Sequence, residues 1–145
     1  MTFPTPVPGL VIRYAFLWSD EARRGQEEGT KDRPCAVLLT STTDAGETLV
    51  IALPVTHTPP TDPDIAVELP LATKRRLGLD DARSWIIVTE GNRFIWPGPD
   101  LRISRPDDPS SAAYGQLPSA LYEQVREKWL NAYDRRKAAV TTRTT

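Results

Sequence analysis

The sequence predicts a mainly β fold with some α: a small barrel or strongly curved sheet, finished by one long C-terminal helix. Three observations carry that expectation. Short apolar runs recur along the chain with polar turns between them. The 145 residues include 14 prolines, which exclude a protein of long helices and suit short strands with fixed turns. From Pro118 to about Arg136, Leu121, Val125 and Trp129 recur at helical spacing, with Tyr122 and Tyr133 beside them.

Taken in order, residues 1–8 carry three prolines and read as a loosely held arm. Gly9 to Trp18 is the first strand, with Leu10, Ile12, Tyr14, Phe16 and Trp18 on its inward face. Ser19 to Asp32 is a polar, charged connection, too long for a tight turn. Lys31 to Thr40 and Leu49 to His57 are rich in Val, Leu and Ile and flank Asp44-Ala45-Gly46-Glu47, which predicts a hairpin buried on both faces. Arg33 enters the first of these strands, and Thr56 and His57 leave the second. An antiparallel hairpin brings those two points to the same open end.

His57 to Pro63 is proline-rich and cannot continue a ladder. Ile65 to Leu69 reads as a short strand and Leu71 to Leu79 as a short helix closed by Gly78. Ser84 to Glu90 is a further strand, continued past Gly91 by Arg93 to Trp96 and ended by Pro97-Gly98-Pro99. Pro106 to Ser111 reads as a loop. Pro118 and Ser119 suit the start of the last helix and basic residues its end. Residues 138–145 are expected to fray. Length makes 1–145 a single domain.

The lone cysteine, Cys35, falls inside a predicted buried strand, where it acts as a small hydrophobe; it cannot form an internal disulfide and fits a reducing cytoplasm. No apolar run approaches the roughly 20 residues of a membrane helix, and no signal pattern opens the chain. A net charge of −1 means that any nucleic-acid site is a local basic patch, not the whole surface. No His/Cys/Asp cluster has metal-ligand spacing and no glycine-rich phosphate loop appears, so no cofactor or metal is expected.

In order and spacing, Gly9-Leu10-Val11-Ile12, then a charged loop, then Lys31-Asp32-Arg33-Pro34-Cys35-Ala36-Val37-Leu38, then Val50-Ile51-Ala52-Leu53-Pro54-Val55-Thr56, and finally Leu117-Pro118 before a terminal helix resemble the PemK/MazF toxins of bacterial toxin–antitoxin systems. The resemblance covers residues 9 to 56 well and the remainder loosely. It implies an SH3-like barrel of the PemK/MazF/CcdB type that forms a homodimer, cuts single-stranded RNA without metal, and is neutralised by a cognate antitoxin. It also implies that Arg33 is the catalytic arginine and Thr56 its supporting hydroxyl. The sequence departs from the family where Glu90-Gly91-Asn92-Arg93-Phe94-Ile95 replaces a segment that usually reads close to Asp-Gln-Ile-Arg, and in an insertion at 57–83. Those departures keep open a non-catalytic barrel that binds RNA or a partner protein. Related folds also keep open inhibition of a DNA topoisomerase.

RNA cleavage through the 2′-hydroxyl needs a base, an acid and positive charge at the crowded phosphate. Arg33 suits the third role, because its guanidinium fork matches phosphate geometry and stays charged. Thr56 can hydrogen-bond the phosphate or the 2′-hydroxyl. His57, the only histidine, is a candidate acid or base, although in a regular strand it would point away from Thr56. Glu21 and Glu90 are further candidate bases. Trp18 and Trp96, where strands give way to loops, could stack bases or pack the core. Arg23, Arg24 and Lys31 could rim a phosphate site, and Glu90 and Asn92 stand in the altered segment as possible RNA contacts. Lys74, Arg75 and Arg76 read more simply as a solvated helix face.

Overall fold

The computed structural model describes residues 3–26, 29, 31–105 and 111–143. The expected loop at 106–111 falls outside them except for Ser111, and so do residues 1–2 and 144–145 of the termini expected to be loose. Eight strands and three helices follow one another: β1 (Leu10–Tyr14), α1 (Ser19–Arg23), β2 (Arg33–Thr42), β3 (Thr48–Thr56), β4 (Ala66–Glu68), α2 (Leu71–Leu77), β5 (Trp85–Ile87), β6 (Glu90–Ile95), β7 (Ala113–Gln116), α3 (Ser119–Asp134) and β8 (Ala139–Thr142). The protein is therefore mainly β with a few helices.

The β2–β3 hairpin organises the sheet. Cys35 pairs with Pro54 and Thr42 with Thr48 across the turn at residues 43–47. β3 then serves two further neighbours: Leu49 to Ala52 pair with β6, while Val55 and Thr56 pair with β5. One strand shared in this way forces a strong bend, and the sheet runs β4-β5-β3-β2-β1-β7 with β6 and β8 branching from β3. All pairings are antiparallel except β6 with β8. The sheet does not close; its ends are flanked by helices, α2 lying against β7 and α3 against β4.

Two cores result. Val11, Leu38, Leu53, Val55, Ile86 and Val88 meet Leu77 of α2 and Leu121 and Val125 of α3. On the other face Ile12, Tyr14, Phe16, Val37, Val50 and Phe94 pack together. This explains why the hairpin strands read as nearly continuous apolar runs: both of their faces are covered. The α3 stripe is used as its spacing implies, with Leu121 and Val125 buried and Trp129 half-buried against the same cluster. Burying Leu121 and Val125 contributes about 1.5 to 3 kcal/mol each. Gly78 ends α2 at φ 75°, the left-handed geometry that a glycine adopts without strain.

The first strand ends at Tyr14 instead of Trp18, the 84–96 run divides into β5 and β6, and three further elements differ from the sequence expectation. The 19–32 connection opens with helix α1, whose start is held by Glu21 accepting from the Trp18 amide at 3.0 Å. A short strand, β7, crosses the end of β1. The segment expected to fray at 138–145 instead supplies β8, parallel to β6, as far as Thr142. Arg143 then pins it: its guanidinium reaches Asp100 at 3.0 Å, the Ala15 carbonyl at 2.7 Å and Asn92 Oδ1 at 3.0 Å.

Candidate functional site

At the open end of the hairpin lies a cavity of about 410 Å³, lined among others by Lys31, Arg33, Thr56, His57, Asp80 and Tyr114. Arg33 starts β2 and Thr56 ends β3, so the antiparallel pairing itself delivers both to this point. His57 joins them because the chain turns as soon as β3 ends: the Thr58 amide donates to Thr56 Oγ1 at 3.2 Å. That turn overrides the alternation that would send His57 to the opposite face. It also occupies Thr56 Oγ1 only as an acceptor, leaving the hydroxyl proton to donate.

Arg33 is half-buried. Its Nη1 donates to the Val55 carbonyl at 3.3 Å and its guanidinium lies 5.1 Å from the Trp18 ring centre. Its Nε is buried without a hydrogen-bond partner. Among the described residues no carboxylate forms an ion pair with it. Burial pulls its pKa down, opposed by Cys35 and Glu21; an arginine so placed is still a cation. A held guanidinium at the wall of a cavity, with no carboxylate partner among the described residues, is suited to receive an anion.

The other wall carries a linked trio. His57 Nε2 sits 2.8 Å from Asp80 Oδ2, and Asp80 Oδ1 accepts from Lys74 Nζ at 2.6 Å. Lys74 is only 2% exposed and also reaches Ser84 Oγ at 2.6 Å and the Ala82 carbonyl. The Lys74 ammonium, with His57 adding to it, holds the Asp80 carboxyl below the usual carboxylate range against a smaller opposing effect of burial. Lys74 is thus not part of a solvated helix face. Asp80 and Lys74 escaped sequence reasoning because their partner lies well away along the chain; the available signal was an apolar helix face interrupted by Lys74 just before Gly78.

The other candidates are distributed differently. Lys31 lines the cavity. Trp18 is a platform beneath Arg33, edge-on to Phe16 at 5.3 Å, and is half-buried. Arg23 and Arg24 are exposed on α1 outside the cavity lining, and Arg24 pairs with Asp20 at 3.7 Å. Glu90 fixes the start of α1, accepting from the Ser19 amide at 2.9 Å and its hydroxyl at 2.6 Å. With Glu21 also committed to that helix start, both candidate carboxylate bases have structural work. Asn92 is 0% exposed and bonds both the amide and the carbonyl of Leu17, so its surface is closed to any nucleic acid. Trp96 packs on Phe94 and its amide bonds Thr48, at the far end of β3 from Thr56. Those ends lie about 25 Å apart along an extended strand at about 3.3 Å per residue, so Trp96 cannot share a nucleotide with Arg33.

Among the described residues no three His, Cys, Asp or Glu side chains gather as a metal site, and no helix is long and apolar enough to cross a membrane. Burial pushes the Cys35 thiol up, which makes it unreactive. Comparisons with protein-family models, with curated proteins and with solved structures found no match.

Proposed function

We propose that this chain is an endoribonuclease that cleaves single-stranded RNA through its own 2′-hydroxyl without a metal, the toxin of a PemK/MazF-like toxin–antitoxin pair acting in the cytoplasm. The observation that carries the reading is Arg33: a cation without a carboxylate partner among the described residues, in one cavity with the Thr56 hydroxyl and His57. Arg33 meets the phosphate as charge builds on its oxygens, and Thr56 donates to it. Lys31, also in the lining, adds to the Arg33 charge there, while Arg13 is shared with Asp32. The bent, unclosed sheet is read as an opened SH3-like barrel. Two copies form a dimer that sets two such cavities along one RNA, and an antitoxin covers them.

Purified protein incubated with single-stranded RNA in excess chelator tests this. Cleavage that leaves 2′,3′-cyclic phosphate ends, and that stops when the nucleotide at the cut site is 2′-deoxy, is expected. Intact RNA under these conditions, or cleavage indifferent to the 2′-hydroxyl, refutes it. Light scattering is expected to report about twice the 16.1 kDa of one chain.

A further inference from the structure

We infer that Asp80 and Lys74 are positioning residues that make His57 the general base of this site, an inference that rests on the ribonuclease reading above. The His57–Asp80 contact is not explained by stability. The two side chains are 59% and 54% exposed, and ion pairs in water hold little free energy. Yet the carboxylate is fixed from behind by a buried ammonium, which uses its donors on Asp80, Ser84 and the Ala82 carbonyl, while the Ala82 amide donates back to Asp80 Oδ1 at 3.1 Å. An ionised carboxylate only accepts, so at 2.8 Å the proton between the two groups belongs to His57 Nε2. The neutral imidazole then carries its lone pair on Nδ1. Asp80 thereby sets the tautomer and ring orientation, and Lys74 sets Asp80.

In the reaction, the 2′-hydroxyl proton passes to Nδ1 as the 2′-oxygen bonds to phosphorus. The bond from phosphorus to the 5′-oxygen breaks, and that oxygen takes a proton from water. The imidazolium, stabilised by Asp80, later releases its proton to solvent. The charged and titratable groups around the cavity are Arg13 on β1, Lys31 and Asp32 before β2, Arg33, Asp80 and Tyr114 on β7. Asp32 is engaged by Arg13 at 3.9 Å and Arg102 at 3.5 Å. Burial raises the pKa of Tyr114, which leaves it protonated at neutral pH. Asp80 is the only one of these that bonds the imidazole.

Because His57 is the only histidine, ¹⁵N NMR of the full chain reads its tautomer directly, without substrate. The Nε2–H form is expected in the wild type and a mixture in Asp80→Asn; an Nδ1–H wild type overturns the inference. The second measurement is the cleavage rate on RNA. A positioned base contributes about 10² to 10⁴ in rate, and Asp80→Asn is expected to lose about 10-fold or more of it. Asp80 is exposed, so this variant should fold. An Asp80→Asn variant that keeps the wild-type rate overturns the inference while leaving the ribonuclease reading intact. A wild-type protein that cuts no RNA refutes the ribonuclease reading, and the catalytic role of the trio falls with it.

Discussion

Arg33 and Arg143 are both drawn into the protein beside an aromatic ring, 5.1 Å from Trp18 and 5.3 Å from Tyr14, but their surroundings diverge. Arg143 meets a buried carboxylate at Asp100, the Asn92 amide oxygen and the Ala15 carbonyl. Arg33 meets one carbonyl, has no carboxylate partner among the described residues, and has an Nε with nothing to bond. A saturated buried cation ties segments together. One at the wall of a cavity with no carboxylate partner keeps its charge for an anion from outside. The difference separates a fastening from a site in one small protein.

The largest effect expected is on the fastening. Arg143→Met keeps the stem of the side chain but strands Asp100 without its cation, and breaking a buried pair costs about 3 to 5 kcal/mol. Chemical denaturation should show this loss, with β8 the first strand to exchange its amides. A denaturation midpoint within error of wild type would mean that β8 is held by its ladder alone, and the contrast with Arg33 would collapse.

That fastening marks where sequence reasoning stops. The hairpin, the short helix ending at Gly78 and the α3 stripe were legible because each is a local pattern: alternation, a terminating glycine, helical spacing. Arg33, Thr56 and His57 were legible as one cluster because a hairpin makes chain ends meet. β8 was not, since Ala139–Thr142 carries no strand pattern of its own and is fixed by an ion pair between Arg143 and Asp100, far apart in sequence. Asn92 looked available for RNA for the same reason: only the fold closes Leu17 over it. Trp96 looked close to the site until β6 paired with the turn end of β3. Asp80 gave no signal because a lone exposed aspartate acquires meaning only beside a histidine.

Arg33→Ala is the matching test on the site. If Arg33 stabilises charge that builds in the transition state, its loss should slow cleavage about 10²- to 10³-fold, or about 2.7 to 4 kcal/mol. Affinity for a 2′-deoxy analogue and the denaturation midpoint should change little. The two arginines then fail in opposite assays. Unfolding of Arg33→Ala, or an unchanged cleavage rate, would make Arg33 a second fastening.

Thr56→Val sharpens the contrast within the cavity. It keeps the volume and removes the hydroxyl, which among the described residues accepts from the Thr58 amide. One neutral hydrogen bond is worth about 0.5 to 1.5 kcal/mol, so cleavage should slow up to about 10-fold, well short of Arg33→Ala. A loss as large as that of Arg33→Ala would move the hydroxyl from support to the centre of the chemistry.

The smallest effect separates the trio of Lys74, Asp80 and His57 from the Arg143 fastening by pH. Asp80 is held below the usual carboxylate range, first by Lys74 and then by His57. Its folded pKa is therefore lower than its unfolded one. The stabilisation is fully present above the ordinary aspartate value of about 3.9 and is lost as pH falls through the lower folded value. With Asp80 54% exposed, solvent screening limits it to under about 1 kcal/mol. Urea denaturation of wild type and Asp80→Asn should thus differ by a small, constant amount between pH 7 and about 5. The two should begin to converge as pH falls below about 4 and meet only below the lower folded value, where wild-type Asp80 becomes neutral like its replacement. A difference that does not shrink at all as pH falls from about 5 through the acid range would show that the substitution acts through packing, and that Lys74 is not held by the charge of Asp80.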